Sequence, residues 1–323
     1  TVLHRHGAVH HLLNRERDRI VGGIPRQETC REDIVMMTKF LSRNRHTVQR
    51  IGFIAITMMV IVTIIPIIGT IIFILIKGGS AISWEFLSGF PHDGMRAGGI
   101  LPAIIGTLYL TLGTAIFSVP LGIAAAIYLS EYAKDNQVTR LIRLAIINLA
   151  GIPSVVYGLF GLGLFVLFLQ FGTSILAASL TLSIMTLPVI ISTSEEALRA
   201  VPQSFRTVSI SLGATRWQTI NRIIIKEALP GILTGVILGL ERAAGETAPI
   251  LFTGAAFFLP RLPQSPFDAT MALPYHLFVI STQVPEMPIQ IQYGTALVLL
   301  VFVLSMNVIA TVIRSRARAR RQW

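Results

Sequence analysis

Four stretches of the chain carry no charged residue: 51–76, 97–130, 144–194 and 287–313. Each is longer than the roughly 20 apolar residues that cross a bilayer as a helix. The run 144–194 must be divided, because a single helix of that length would extend about 75 Å. Gly172-Thr173-Ser174 offers the break. A further apolar stretch, 228–258, holds three charges at its centre and is still a span by length. The pattern therefore predicts six helices, over 50–76, 100–131, 140–170, 173–198, 228–258 and 291–314. This is an all-α, polytopic membrane protein with six transmembrane helices. Pro66, Pro120, Pro153 and Pro188 inside the spans predict kinks, and Gly106, Gly113, Gly122, Gly158 and Gly161 allow close helix approach.

The segments between spans differ in character. Residues 1–49 form a basic N-terminal arm and 315–323 a basic tail around a membrane-spanning body, 50–314. No short apolar stretch with a small-residue cleavage site opens the sequence, so 50–76 is expected to act as an uncleaved signal. Segment 77–99 mixes Trp84, Phe86 and Phe90 with paired glycines, which suits a lipid–water interface. Segment 259–290 contains Pro260, Pro263, Pro266, Pro274, Pro285 and Pro288, which excludes one continuous helix but leaves room for a short interfacial one near 269–281.

Composition agrees with this reading. Hydrophobic residues make up 53% of the 323 residues and charged residues 13%, about half the share of a soluble domain. A soluble enzyme, a disulfide scaffold and a disordered protein are excluded. Cys30 is the single cysteine, so no intrachain disulfide can form. The net charge of +11 is not a nucleic-acid signature, because it flanks apolar spans. Lys and Arg number 23 in 1–50, loop 131–143, loop 195–227 and 314–323, against 3 in 77–99 and 259–290. With six spans, both termini are expected in the cytoplasm, and anionic membrane lipid is the expected neighbour of the basic side. His4, His6, His10 and His11 lack cysteine or acidic support, so no metal site is expected.

The sequence contains no G-x-x-x-x-G-K-[ST], H-E-x-x-H, CxxC or G-x-S-x-G. The chain is therefore not expected to be an enzyme or to bind a cofactor. Uphill transport by such a chain needs an ion gradient or a partner that hydrolyses ATP.

Two segments carry candidate chemistry. Residues 196–227 have helical rather than linker pattern. Phe205, Val208, Ile210, Leu212, Trp217, Ile220, Ile223 and Ile224 recur around Gly213-Ala214-Thr215, which predicts two short amphipathic helices joined at a glycine. They could lie on lipid or dock a cytoplasmic protein. The second segment, 238–253, places Glu241, Arg242 and Glu246 within a span. A charge there costs roughly 2.5–3.5 kcal/mol on insertion scales. Arg242 and Glu246, four residues apart, share a helix face and can pair. The pair could simply lock helices together. It could also serve an oxyanion, since a guanidinium offers a planar, bidentate fork to phosphate oxygens. Glu246 would then hold and partly neutralise Arg242, and Gly245 would permit close passage.

The helix–Gly–helix segment before the fifth span resembles the coupling segment of binding-protein-dependent ABC importer permeases. Gly213 fits the family glycine. Thr207, Val208 and Ser209 stand at the Glu-Ala-Ala positions, and Ile225-Lys226 at the closing Leu-Pro, with Leu229-Pro230 a turn later. Leu212-Gly-Ala-Thr-Arg-Trp-Gln-Thr219, Glu196-Ala-Leu-Arg-Ala-Val-Pro202 and Arg242-Ala-Ala-Gly-Glu-Thr-Ala-Pro249 are similar to phosphate-importer permeases of the PstA type. The resemblance covers 50–314. It implies a type I ABC importer permease fold and a heterodimer with a PstC-like permease. It also implies a PstB-like ATPase dimer that uses ATP and Mg, and a PstS-like binding protein outside. Arg242, Glu246, Glu241, Gly245 and Thr247 become substrate-path candidates. Arg206, Thr207, Leu212, Gly213, Ala214, Thr215, Arg216 and Trp217 become ATPase-docking candidates. Alternatives are a permease for another oxyanion or solute, an ion-coupled carrier, or a membrane sensor.

Overall fold

The computed structural model describes residues 45–319, so the four N-terminal histidines and most of the basic arm lie outside the described residues. The chain divides into two compact units, Thr1–Ile71 and Ile72–Trp323.

Helix α1, Arg45–Gly78, supplies the described part of the first unit and ends in the second. Its first-unit residues are mostly aliphatic, with Pro66 inside. The Thr63 and Thr70 hydroxyls donate to Met59 O (2.9 Å) and Pro66 O (2.8 Å), so neither asks for a partner outside the helix.

The second unit is helical apart from one small hairpin. Short helix α2, Trp84–Ser88, precedes strands β1, Pro91–His92, and β2, Ala97–Gly98, which pair antiparallel. Then come α3, Leu101–Ile127; α4, Gln137–Ala150; α5, Ser154–Gly161; α6, Ile175–Arg199; α7, Gln203–Ser211; and α8, Arg216–Thr219. They are followed by α9, Ile225–Gly245; α10, Ala248–Thr253; α11, Leu273–Thr282; and α12, Ile289–Ala319. Widened turns extend α3 to Tyr132, α5 to Phe168, and join α8 to α9. Among the described residues, five helical stretches are long and apolar enough to cross a membrane. The bent pair α4–α5 makes a sixth if it counts as one broken span.

Two expectations are corrected. The helix predicted over 140–170 is α4 and α5, set at 101° to one another. Pro153 has no N–H for the carbonyl of Leu149 and its ring crowds the preceding turn, so α4 stops at Ala150. The helix predicted over 228–258 stops at Gly245. Pro249 cannot donate to the Gly245 carbonyl four residues back, and Glu246 turns to extended backbone (φ −77°, ψ 136°). A short helix does form where one was expected near 269–281, as α11.

Helix α6 is the centre of the packing, with α3 on one side and α9 on the other. Small residues allow this. Gly113 of α3 faces Ser179 and Gly122 faces Ile190. On α9, Gly231, Gly235 and Gly239 face Ala197, Thr193 and Ile190, with no room for a Cβ at Gly235. A four-residue spacing of glycines brings two helix backbones together where apolar burial supplies no drive. The larger core cluster includes Leu110, Leu182, Met185, Ile250, Leu273 and Ile280, and a smaller one gathers Ala126, Leu198, Ile224 and Ile232. The loop before α11 closes the start of α6: Ser174 N donates to Thr253 O (3.0 Å), Ile175 N to Asp268 O (2.9 Å), and Leu176 N to Pro266 O (2.9 Å).

Candidate functional site

The coupling segment is built as its sequence pattern predicts. Helices α7 and α8 meet at Gly213, whose φ of +84° lies in the left-handed region that glycine occupies without cost. Thr215 starts α8 with a capping box: Gln218 N donates to Thr215 Oγ1 (3.3 Å), and Thr215 N donates to Gln218 Oε1 (2.9 Å). A buried Ser209–Thr219 hydroxyl contact of 2.8 Å ties the two helices together. Outward, the segment presents apolar side chains: Leu212 is 83% exposed and Trp217 57%, with Val208 and Ile210 also exposed. Thr207 and Thr215 are exposed and Ala214 is half-buried.

Arg206 of α7 and Arg216 of α8 behave differently from the apolar residues of these helices. Arg206 turns inward and forks onto Glu131, with Nη2–Oε1 at 2.6 Å and Nε–Oε2 at 3.2 Å. Its remaining donors reach Val201 O (2.8 Å) and Leu198 O (3.0 Å). Arg216 donates to the backbone carbonyl of Glu131, and its guanidinium lies 5.0 Å from the Tyr132 ring centroid. Beside this cluster, Arg143 of α4 and Arg199 share Glu195, at 2.8 and 3.0 Å.

The charged centre of the fifth span sits at the break between α9 and α10, not in mid-helix. Arg242 Nε donates to Glu246 Oε1 at 3.3 Å, so the pairing expected from the four-residue spacing survives the break. The Arg242 side chain remains 36% exposed and that of Glu246 18%. Arginine has five N–H donors. The four that do not face Glu246 have no hydrogen bond among the described residues. A Cβ at Gly245 would meet nothing within 4 Å, in contrast to the packed glycines of the same helix, so the backbone at the break borders open space. Glu241 points elsewhere: Asn307 of α12 is beside it, and its Oε1 has no hydrogen-bond partner. Thr247 accepts from Leu251 N (3.1 Å) through its carbonyl at the start of α10. A separate cavity of about 520 Å³, lined by Tyr109, Leu112, Ile116, Pro263 and Pro266 among others, holds no charged side chain and suits an anion poorly.

Comparison with known proteins decides the family. The pattern of the family described as "Binding-protein-dependent transport system inner membrane component" matches residues 118–319. The chain belongs to this family. Among curated relatives, the phosphate transport system permease protein PstA 1 of Mycobacterium tuberculosis (strain ATCC 25618 / H37Rv) is 33% identical over 81% of this chain and 86% of its own. The probable ABC transporter permease protein YqgI of Bacillus subtilis is 33% identical over 76% of this chain and 87% of its own. A bacterial alginate ABC transporter, solved with a pentasaccharide-bound periplasmic protein, superposes with a TM-score of 0.59 at 16% identity, covering 86% of this chain and 96% of that one. A MetNI methionine ABC transporter in an inward-facing conformation gives 0.56 at 16% identity, covering 68% and 95%. The fold is that of a type I ABC importer permease, and the chain is a multi-pass permease subunit of the binding-protein-dependent class.

The candidate residues named from the sequence thus fall in two separate regions, the helix–Gly–helix segment of α7 and α8 and the break between α9 and α10. Sequence reasoning missed Glu131, the acceptor for Arg206 and Arg216. The available signal was that this carboxylate ends the uncharged run 97–130 where the basic side begins. It also missed the glycine ladder 231–235–239, which is legible as two overlapping G-x-x-x-G motifs.

Proposed function

We propose that this chain is the PstA-like permease subunit of an ATP-driven phosphate importer. It would line the translocation path together with a PstC-like permease, by alternating access. A PstB-like ATPase dimer in the cytoplasm would supply ATP and Mg chemistry, and a PstS-like protein would deliver phosphate from outside. The observation that supports phosphate is the half-exposed Arg242 at the α9–α10 break, with four undirected donors, a carboxylate that fixes its orientation, and open space at Gly245. The PstA names of relatives at 33–36% identity support the same reading. Glu246 offsets part of the positive charge, which keeps anion binding weak enough for release.

In this reading, Leu212 and Trp217 with Val208 and Ile210 form the contact offered to the ATPase, and both termini are cytoplasmic on the 23-to-3 division of Lys and Arg. Arg206 and Arg216, directed inward, support that surface from behind. Vesicles holding the four-component complex test the reading: phosphate uptake should require ATP and the binding protein, and sulfate should not compete. Equal uptake of sulfate would assign the permease to another oxyanion. Uptake driven by an ion gradient without ATP would assign it to secondary carriers.

A further inference from the structure

We propose that Glu131 is the positioning residue that ties the ATPase-docking segment to α3, so that movement of the segment becomes movement of a membrane span. The proposal rests on the reading of residues 203–219 as the ATPase dock.

One residue receives both arginines of the dock. The Glu131 carboxylate takes the fork of Arg206, which belongs to α7, and its backbone carbonyl takes Arg216, which belongs to α8. The two short helices flank Gly213, and their common acceptor fixes both against the same point on another element. Tyr132, the next residue, lies under the Arg216 guanidinium. The carboxylate side chain is 8% exposed and that of Arg206 15%. Screening and competition by water are therefore small, and the fork is held in one geometry by the additional bonds to Leu198 O and Val201 O.

The receiving element is suited to transmit a displacement. Residues 128–132 form a widened turn at the end of α3, where regular helical bonding is interrupted. The Leu129 carbonyl in this turn accepts from Arg143 of α4 (3.0 Å), so α4 and the dock hold the end of α3 together. From there α3 packs along α6 through Gly113 and Gly122, and α6 packs on α9, which carries Arg242. Glu195, the neighbouring buried carboxylate, does not share this role: it pairs with Arg143 and Arg199, neither of which lies in the dock.

The test uses the four-component complex in vesicles and reads three quantities: ATPase retained, ATP hydrolysed, and phosphate moved per ATP. Glu131→Gln keeps the shape but turns an amide N–H₂ toward arginine donors, whereas Glu131→Asp keeps the charge. The expected result for Glu131→Gln is a bound, hydrolysing ATPase whose phosphate moved per ATP falls about tenfold, within the usual range for coupling between sites. Glu131→Asp should recover most of the ratio. A wild-type ratio in Glu131→Gln overturns the proposal, and so does loss of the bound ATPase, which would make Glu131 a builder of the dock only. Should Glu131→Gln fail to insert, Arg206→Lys must show the same fall, because it loses the fork while keeping the charge; a wild-type ratio there is equally contrary. Trp217→Ala in the same assay separates the two readings: if it leaves the ATPase bound and working, the dock reading itself fails, whatever Glu131 does.

Discussion

Arg242 shows what a single residue contributes to this account. Its position in an apolar span was legible from sequence, as was its partner four residues on. The helix break was not inferred, although its cause, Pro249 opposite the Gly245 carbonyl, was printed in the chain. The difference matters, because a part-exposed guanidinium at a helix end can meet a solute, whereas one in mid-helix faces side chains. Arg242→Lys keeps the charge and loses the planar fork, so phosphate uptake should be reduced, by about tenfold, rather than abolished. Uptake at the wild-type rate would show that charge alone matters there. His276 illustrates the opposite kind of residue. It is buried in α11, its Nδ1 has no partner, and burial pushes its pKa down to about 4. The fold therefore holds it neutral, while the unfolded chain protonates near 6.5. Its contribution to stability should be complete above pH 6.5 and fall as pH drops toward 4. Hydrogen exchange over 273–282 should accelerate across that window, and His276→Phe should remove the acid sensitivity; an unchanged pH profile in the variant would assign it to another group.

At the scale of elements, the short helices α7 and α8 and their glycine joint followed the apolar pattern closely, because capping and a left-handed glycine are local chemistry. The inward direction of Arg206 and Arg216 was not legible, because their acceptor lies 75 and 85 positions away in sequence. The exposed Leu212 and Trp217 are then the residues left to meet a partner. Trp217→Ala should insert and fold normally yet lose most of the co-purifying ATPase, a cost of about 2 kcal/mol or more for an aromatic anchor. Full retention of the ATPase would leave the segment as a lipid-surface element. Gly235 makes a different demand. With Thr193 against it, Gly235→Leu should push α9 off α6 and lower stability in detergent by about 1–3 kcal/mol, seen as a lower melting temperature. A stability equal to the parent would mean that the two helices part easily.

For the whole molecule, the fold class and the placement of four of the five long spans followed from charge-free runs, because a bilayer leaves a chain few choices, whereas the span that ends at Gly245 carries charges and was placed by length. The bent α4–α5 pair reads from the sequence as one helix kinked at Pro153, since apolar composition is the same on both sides of a 101° corner and only Gly151-Ile152-Pro153 marks it. The packing of α3, α6 and α9 depends on glycines that composition lists but does not place. The account's central claim is that a permease of this architecture passes phosphate by Arg242. ATP-driven phosphate uptake in vesicles, compared between Arg242→Gln alone and Arg242→Gln with Glu246→Gln, tests it most directly. Replacing a buried ion pair by neutral groups is often tolerated by a fold. The account predicts that both complexes assemble with the ATPase and that neither takes up phosphate. Recovery of uptake in the double variant would contradict it, and would leave Arg242 and Glu246 as a structural salt bridge.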